Sequence, residues 1–355
     1  MSPGRFRNRV VRFSDQSLHR EEALSERRIG APLRGRSTRR LAGLCLPGLV
    51  GILGIGLAPV PSRAAEAFLT AQTAETVDVV DLDARKVVAT IPVPGAPAGI
   101  ALSPDRSRVY VTAPEGKALV VIDAAARRVE RRVPLGGGPL GVGVNPVSGA
   151  VYVADWYAKR LWEVDPTTLA VAGEIAVGTS PSGIAVTPDG RFLLAADRDD
   201  DALSLVDTAT RQRVAVIPVG TRPFGVTIDA EGRRAYAANV GSNDVSVIDI
   251  AARREVGRVK VGERPYAVAL ARGRAFVTDQ YGGTVSTFDT ATLAPGPRLD
   301  VGEYPEGIQA SPDGRTVYVA NWESNTLTVI DAAALKVTGT VKTADGPRAF
   351  GQFLR

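Results

Sequence analysis

The sequence predicts an all-β fold: a seven-bladed β-propeller of four-stranded antiparallel blades. Two series of residues recur along the chain with the same period, and short apolar runs separated by turn residues lie between them. A period near 40 residues that is built from short strands is typical of propeller blades. The composition, rich in Gly and β-branched residues, disfavours helical repeats.

The first series is an Asp that ends an apolar run, and the second is a Pro that begins the next unit. The Asp series is Asp81, Asp123, Asp165, Asp207, Asp249, Asp289 and Asp331; the Pro series is Pro97, Pro139, Pro181, Pro223, Pro265, Pro305 and Pro347. The spacing is 42 residues except for one interval of 40. In that unit a short turn at residues 271–274 stands where other units have a longer turn, such as the one at residues 311–314, and this accounts for the two missing residues. The two markers each count seven units.

One unit shows why each element is predicted. Between Pro181 and Val219 the runs SGIAVTP, FLLAA, ALSLVD and RVAVIPV are separated by turn residues, and each run has the length and composition of a strand. Interior strands such as residues 119–122 are apolar on both faces. A blade needs this pattern because it packs between two neighbours.

The two ends of the repeat array predict how the ring closes. The segment AFLTA at residues 67–71 aligns with the second strand of a unit, and PRAFGQFL at 347–354 aligns with the first. We therefore expect the C-terminal strand to pair with the N-terminal blade and complete it. Closure of this kind removes the exposed edges of an open array.

Residues 1–67 read as a basic leader with an export signal, and residues 68–355 as the propeller. Residues 41–60 are uncharged and follow Arg39-Arg40, a pattern that resembles a twin-arginine signal peptide. We expect a protein exported to the periplasm or beyond the cell, or anchored in the membrane by this leader if it is not cleaved. The leader carries no predicted functional site.

Charge and rare residues exclude several function classes. The first 67 residues hold 12 Arg, no Lys and five acidic residues, which leaves 31 basic and 33 acidic residues, a net charge of −2, for the propeller. The single His and the single Cys are His19 and Cys45, both in the leader. The propeller therefore cannot carry a His or Cys zinc site, a Ser/His/Asp triad or a Cys-attached haem. We expect a monomer.

The strand ends YVTA (110–113), YVAD (152–155), YAAN (236–239) and YVAN (318–321) resemble the YVTN-repeat β-propeller family, which includes exported YncE-like proteins. This resemblance spans residues 67–355 and implies the propeller fold. It does not imply one activity, because similar propellers include proteins of unassigned role, nucleic-acid binders and redox subunits. Lactonase-type and streptogramin-lyase propellers also look similar, but the catalytic His residues of the lyases have no counterpart here.

The repeats separate scaffold from candidate site, because a residue that recurs in most blades serves the fold. By this rule the Asp series and the strand-end residues Asp155, Asp197, Asn239, Asp279 and Asn321 are structural. Residues beside both markers vary, and the topology places them around one mouth of the ring. Aromatic and Arg side chains are enriched there, as in binding surfaces. The candidate ligand-binding residues are Trp156, Tyr157, Arg198, Arg222, Phe224, Arg264, Tyr266, Tyr281, Tyr304, Trp322 and Arg348.

Three carboxylates at alternate positions, Asp197, Asp199 and Asp201, give a weaker indication of calcium, since alternate oxygen ligands are used in calcium loops. No downstream Glu completes such a loop. No other metal and no other cofactor is predicted.

The sequence favours a non-enzymatic binding or interaction scaffold whose mouth takes a protein or a small ligand. An alternative is a carboxylate and Arg hydrolase resembling lactonases, or an accessory propeller of a periplasmic redox system, with Asp155, Glu303, Arg222 and Arg264 as candidates. A lesser alternative is single-stranded nucleic-acid binding by Trp156 and Trp322. The net charge of −2 disfavours nucleic acid, and contact with a membrane is expected only through the leader.

Overall fold

The computed structural model describes residues 65–355, which form a ring of seven blades, each a sheet of antiparallel strands. The predicted export signal, including Arg39, Arg40 and Cys45, lies outside the described residues. Within residues 65–355 there is no helix whose length and apolar character would let it span a membrane. The fold predicted from the two repeat markers is confirmed, with seven blades and the expected strand order.

The strands run through the ring in chain order, and we number them β1 to β28. Blades 1 to 4 contain β1 Glu66–Ala71, β2 Thr76–Asp81 and β3 Lys86–Pro92; β4 Gly99–Leu102, β5 Arg108–Ala113, β6 Ala118–Asp123 and β7 Arg128–Pro134; β8 Pro139–Val144, β9 Val151–Asp155, β10 Arg160–Val164 and β11 Val171–Ala176; and β12 Pro181–Val186, β13 Phe192–Asp197, β14 Ala202–Asp207 and β15 Gln212–Pro218. A short 3₁₀ turn, Arg198–Asp200, follows β13.

Blades 5 to 7 and the C-terminal strand complete the ring. They contain β16 Pro223–Ile228, β17 Arg234–Asn239, β18 Asp244–Asp249 and β19 Arg254–Lys260; β20 Pro265–Ala271, β21 Arg274–Asp279, β22 Thr284–Asp289 and β23 Leu299–Asp300; β24 Pro305–Ala310, β25 Thr316–Asn321, β26 Thr326–Asp331 and β27 Lys336–Lys342; and β28 Phe350–Gly351. In each complete blade the first strand is innermost, and the fourth is outermost and partly exposed.

The C-terminal segment closes the ring as predicted. Ala71 pairs with Pro347 and Ala67 with Leu354, both antiparallel, and the Phe68 amide donates to the Phe353 carbonyl at 2.9 Å. The segment thereby supplies the missing inner strand of blade 1. It also does something the sequence did not predict, because β28 pairs in parallel with β4 of blade 2.

The hairpin that explains the 40-residue interval has the predicted tight form. Ala271 pairs directly with Arg274, and the two residues between them have positive φ angles, 51° at Arg272 and 71° at Gly273. Two successive positive φ angles define the type I′ turn that joins neighbouring antiparallel strands. Blade 6 also has a short outer strand, β23, because Pro295 and Pro297 interrupt the run that precedes it.

The apolar core lies between neighbouring blades, where the second and third strands are buried on both faces. Hydroxyl groups link several blades to the next. A Thr at the same position of the second strand donates through Oγ1 to a backbone carbonyl at the innermost part of the following blade. The pairs are Thr70 to Ala98 at 2.9 Å, Thr112 to Leu140 at 2.6 Å and Thr278 to Glu306 at 3.0 Å. These bonds satisfy polar groups that blade packing buries.

The repeated Asp residues hold the turn between the third and fourth strands. Asp123, Asp165, Asp289 and Asp331 each accept backbone amides two and three residues later, and the other three members of the series accept the third amide. This is the side-chain to backbone bonding expected of a turn Asp. Their structural assignment is therefore supported.

Candidate functional site

The predicted mouth residues do lie on one face of the ring. We call it the mouth face: the end at which first strands begin and second strands end. Matching backbone bonds place the two Trp residues equivalently, since Trp156 N donates to Gly138 O at 2.9 Å and Trp322 N donates to Tyr304 O at 2.8 Å. The candidates nevertheless divide into a buried group near the ring axis and a more exposed group around it.

The buried group closes the central channel at the mouth face. Phe224, Tyr266 and Phe350 pack against one another with ring centroids 4.4 to 5.4 Å apart, and Ala98 and Leu140 complete this apolar plug. All five are at most 6% exposed. The sequence placed Phe224 and Tyr266 on an open mouth, whereas here they fill it. The reason is geometric: residues that follow the repeated Pro point inward, where seven inner strands converge.

A charged network lies beside the plug. Arg348 Nε is 2.9 Å from Glu306 Oε2, and Gln280 Nε2 donates to Glu306 Oε1 at 2.6 Å. Arg348 also donates to the Tyr266 hydroxyl and, at 3.2 Å, to Gln72 Oε1. Arg348 was predicted to contact ligand, but it is 7% exposed and its donors are used within the protein. It joins the chain terminus to blades 6 and 7.

Burial governs the titration of this network. It raises the pKa of the Glu306 carboxyl, against the attraction of the Arg348 guanidinium. Burial likewise raises the pKa of the Tyr266 hydroxyl. Gln280 Oε1 is buried without a hydrogen-bond partner. Gln72, Gln280 and Glu306 were missing from the predicted site, although they stand in the two variable positions beside the markers and could have been found there.

The exposed group contains an aromatic row, which we define as Tyr281, Tyr304 and Trp322. The Tyr281 and Tyr304 rings meet edge to face at 5.7 Å, and the Tyr304 and Trp322 centroids are 6.4 Å apart. The guanidinium of Arg264 lies over the Tyr281 ring at 4.9 Å. Tyr281 is 47% exposed. The row therefore offers apolar ring surface to solvent together with a cation fixed beside it.

Blades 3 and 4 carry a second aromatic group. Arg198 lies over the Trp156 ring at 5.4 Å, and Trp156 itself packs against the plug, 6.2 Å from Phe224. Tyr157 beside it is 65% exposed. Arg222 is exposed, and its backbone amide donates to Asp201 Oδ1 at 2.7 Å. The structure thus brings the candidates together as two separate patches rather than one continuous lining.

The residue before the repeated Pro has a left-handed backbone conformation in most blades and lies on the mouth face. In five blades the residue before this Pro has a positive φ angle, between 51° and 56°: Ala96, Ser180, Arg222, Arg264 and Tyr304. A left-handed residue before Pro is unusual, and its recurrence in blades of different sequence marks it as part of the scaffold. The scaffold therefore fixes a backbone position at which the side chain is free to vary.

The strand-end polar residues are fully buried and bind their own loops. Asp155 Oδ1 accepts the Gly138 amide at 3.0 Å, and Asp279 Oδ1 accepts the Gly262 amide at 2.8 Å. Ser204 donates to Asp197, and burial raises the pKa of Asp197 to about 6. These contacts support the turn-bonding assignment. Asp155, a candidate for the hydrolase alternative, is also paired with Arg160 at 3.0 Å.

The three carboxylates that suggested calcium do not converge. Asp197 is bound to Ser204, Asp199 accepts the Ser180 hydroxyl at 2.6 Å, and Asp201 accepts the Arg222 amide. In the described part of the chain no group of three or more acidic, His or Cys side chains could hold a metal ion.

Two family models match parts of the sequence: a YncE-like β-propeller model over residues 62–148 and a seven-bladed lactonase propeller model over residues 144–268. No curated protein matches the sequence significantly.

Solved structures match the fold at low sequence identity. Hydrazine synthase of Kuenenia stuttgartiensis is 22% identical with a TM-score of 0.64, over 72% of this chain and 89% of that one. A protein of unknown function from Desulfotomaculum acetoxidans is 16% identical with a TM-score of 0.68, over 81% and 99%. Dihydro-heme d1 dehydrogenase NirN is 18% identical with a TM-score of 0.61, over 79% and 73%. The blades and the family matches confirm the resemblance found in the repeats: this chain is a seven-bladed β-propeller similar to YncE-like and YVTN-repeat propellers.

Proposed function

We propose that this protein is an exported, non-enzymatic binding scaffold that captures a protein or small ligand on its mouth face. The observation that carries the proposal is the aromatic row with Arg264 stacked on Tyr281. A few residues supply most of the energy at binding surfaces, and these are enriched in Trp, Tyr and Arg. Because the apolar plug closes the central channel at the mouth face, the ligand would bind on this face without passing through the ring.

The charges of the same face support a scaffold over the alternatives. Glu303 and Glu323 are exposed beside the row, and Arg264 lies among them, so the surface carries both signs. A protein partner or a polar organic ligand suits such a surface better than a nucleic-acid backbone, which needs a basic field. The candidate hydrolase residue Asp155 is engaged in loop bonding, and Glu303 is on the open surface.

The proposal that the protein is exported is supported by the leader, residues 1–67. The uncharged segment 41–60 after Arg39-Arg40 supports delivery across a membrane, and the propeller that follows has no Cys that an oxidising compartment could crosslink. We propose a periplasmic or extracellular location. Immunodetection in fractionated cells, comparing the full chain with an Arg39→Lys/Arg40→Lys variant, tests both location and route. Retention of the variant in the cytoplasm supports the twin-arginine route, and equal export of the two forms contradicts it.

The binding proposal is tested with photo-crosslinking from the mouth face. A photoreactive residue at position 303, an exposed position beside the row, should crosslink one reproducible partner; a small ligand of one chemical class should instead remain bound to the purified protein. Tyr281→Ala/Trp322→Ala should abolish this capture. The matched control is Val147→Ala, an exposed apolar residue on the opposite face. Unchanged capture by the folded double variant overturns the proposal, while lactone turnover or salt-dependent retention on single-stranded DNA would establish an alternative.

A further inference from the structure

The centre of the ring contains a cavity that the mouth-face proposal does not use. Its volume is about 410 Å³, and it is lined by residues from the inner strand of every blade, including the C-terminal segment. Ligand cavities of small molecules fall in this size range. The repeat pattern does not predict it, because most lining residues belong to inner strands that look structural by themselves.

The cavity is blind at the mouth face and open at the other. Phe350 lines its closed end, where it packs against Phe224 and Tyr266 at 5.0 and 5.4 Å. Pro146 and Ala230, from hairpins that join first to second strands, line its other end. Access is therefore through the face opposite the aromatic row, so a ligand here would not compete directly with one on the mouth face.

None of the residues that line the cavity carries a charge. Apolar side chains such as Ile184, Val186, Ile228 and Leu270 are only partly buried there, so part of their surface is left in the channel. A hydrocarbon-rich guest would remove that surface from water, which stabilises the complex. A charged guest would lose its hydration and find no partner, which disfavours it.

One lining side chain is held in place by the closing strand. Gln309 Oε1 accepts the backbone amides of Phe353 at 2.6 Å and Leu354 at 2.9 Å. The amide group is thereby oriented, and its Nε2 is the donor that it can offer to a guest. Thr227 Oγ1 donates to the Val268 carbonyl at 2.7 Å, so its hydroxyl proton is already used. The lining thus combines apolar surface with a fixed hydrogen-bond donor.

We propose that the channel binds a neutral, hydrocarbon-rich small molecule carrying a hydrogen-bond acceptor, which enters through the face opposite the aromatic row. This site is independent of the proposed mouth-face function. The uncharged lining gives selection for neutral guests, and Gln309 gives a polar contact for the acceptor group.

The test uses Nile red, a neutral dye with carbonyl acceptors whose emission increases in apolar surroundings, titrated into the purified full chain. We expect saturable binding of one dye per chain, and displacement by neutral hydrocarbon-rich compounds but not by their carboxylate analogues. Ala230→Trp, at an exposed position of the opening, should obstruct entry. Gln309→Glu keeps an acceptor for the two amides but replaces the donor with a charge. Each variant should weaken binding by about tenfold or more.

Two matched controls distinguish the channel from nonspecific surface binding. Val147→Ser changes an exposed apolar residue on the same face, and Trp322→Ala changes the mouth face; both should bind the dye as the parent does. Circular dichroism verifies that each variant folds. Binding that does not saturate, that fails to discriminate neutral from charged compounds on the parent protein, or that survives both channel variants overturns the proposal. Dye binding lost in Trp322→Ala would instead assign it to the mouth face.

Discussion

Arg348 Nε lies 2.9 Å from Glu306 Oε2, and both side chains are more than nine-tenths buried. This ion pair joins the C-terminal strand to the inner strand of blade 7, next to the apolar plug. Burial of a charge is costly unless it is paired, so each partner stabilises the fold mainly by compensating the other.

The first prediction concerns this pair. Arg348→Met leaves the Glu306 carboxyl buried without its cation, and we expect the free energy of unfolding to fall by about 3–5 kcal/mol. Urea unfolding at neutral pH measures the change. The double variant Arg348→Met/Glu306→Leu should recover much of the loss, because it removes the uncompensated charge. Equal destabilisation in the single and double variants would show that the charge is not the cause.

The second prediction concerns ring closure. Ending the chain after Thr343 removes the inner strand of blade 1 and exposes the edges of β1 and β4, so we expect the whole ring to unfold at lower urea concentration. Thermal and urea unfolding measure this. A shortened protein as stable as the parent would contradict the closure. The variant Lys342→Ala, just before the removed segment, is a control that should be close to the parent.

The third prediction concerns pH. Burial raises the pKa of Asp197 from 3.8 to about 6, so between these values the folded protein holds a proton that the unfolded chain releases. Stability should therefore decrease as pH rises through this window, by roughly 2–3 kcal/mol for this group. Asp197→Asn should remove that part of the pH dependence and be more stable than the parent above the window. Equivalent positions already hold Asn239 and Asn321.

Urea unfolding of parent and variant at pH values of about 4, 5 and 7 tests this directly. Asp279 has its pKa raised by burial as well, so the parent's own curve combines several groups. The difference between the two proteins isolates Asp197. Parallel curves for parent and variant would be inconsistent with a buried, protonated carboxyl.

The fourth prediction separates the two Trp residues. Trp156 packs against the plug residue Phe224, whereas Trp322 contacts the partly exposed Tyr304. Trp156→Ala should therefore destabilise the fold by about 1–3 kcal/mol, and Trp322→Ala by less. From the sequence, both Trp residues were predicted to lie at equivalent positions on the mouth surface. Thermal unfolding of both variants compares them, and equal losses would show that Trp156 adds nothing to the plug.

The blades were predictable because each is encoded locally. The repeated Asp, the repeated Pro and the short hairpin at 271–274 all report on contacts within one unit or between neighbours, and they recur. Closure was predictable for the same reason, since Ala67 and Pro347 each begin a recognisable part of the same unit. The parallel pairing of Phe350 with Gly99 was not, because it joins the closing segment of blade 1 to the inner strand of blade 2, a pairing that does not recur between other blades.

The site was only partly predictable because burial near the axis depends on ring diameter. The variable positions were identified, but whether Phe224 and Tyr266 faced solvent or one another required the distance between blades. The central cavity was not predicted from the sequence, for a related reason. A rule that assigns recurring positions to the scaffold cannot detect a site to which the blades contribute the same kind of residue at the same position, as Val186 and Ile228 do.

The pairing of Glu66 with Arg355 at the two ends of the described chain has a consequence for biosynthesis. Blade 1 stays incomplete until residues 347–355 have emerged from the ribosome, so the closed ring cannot form before this segment has been synthesised. Until then the edges of β1 and β4 remain unpaired, and the nascent propeller stays accessible to targeting factors and chaperones.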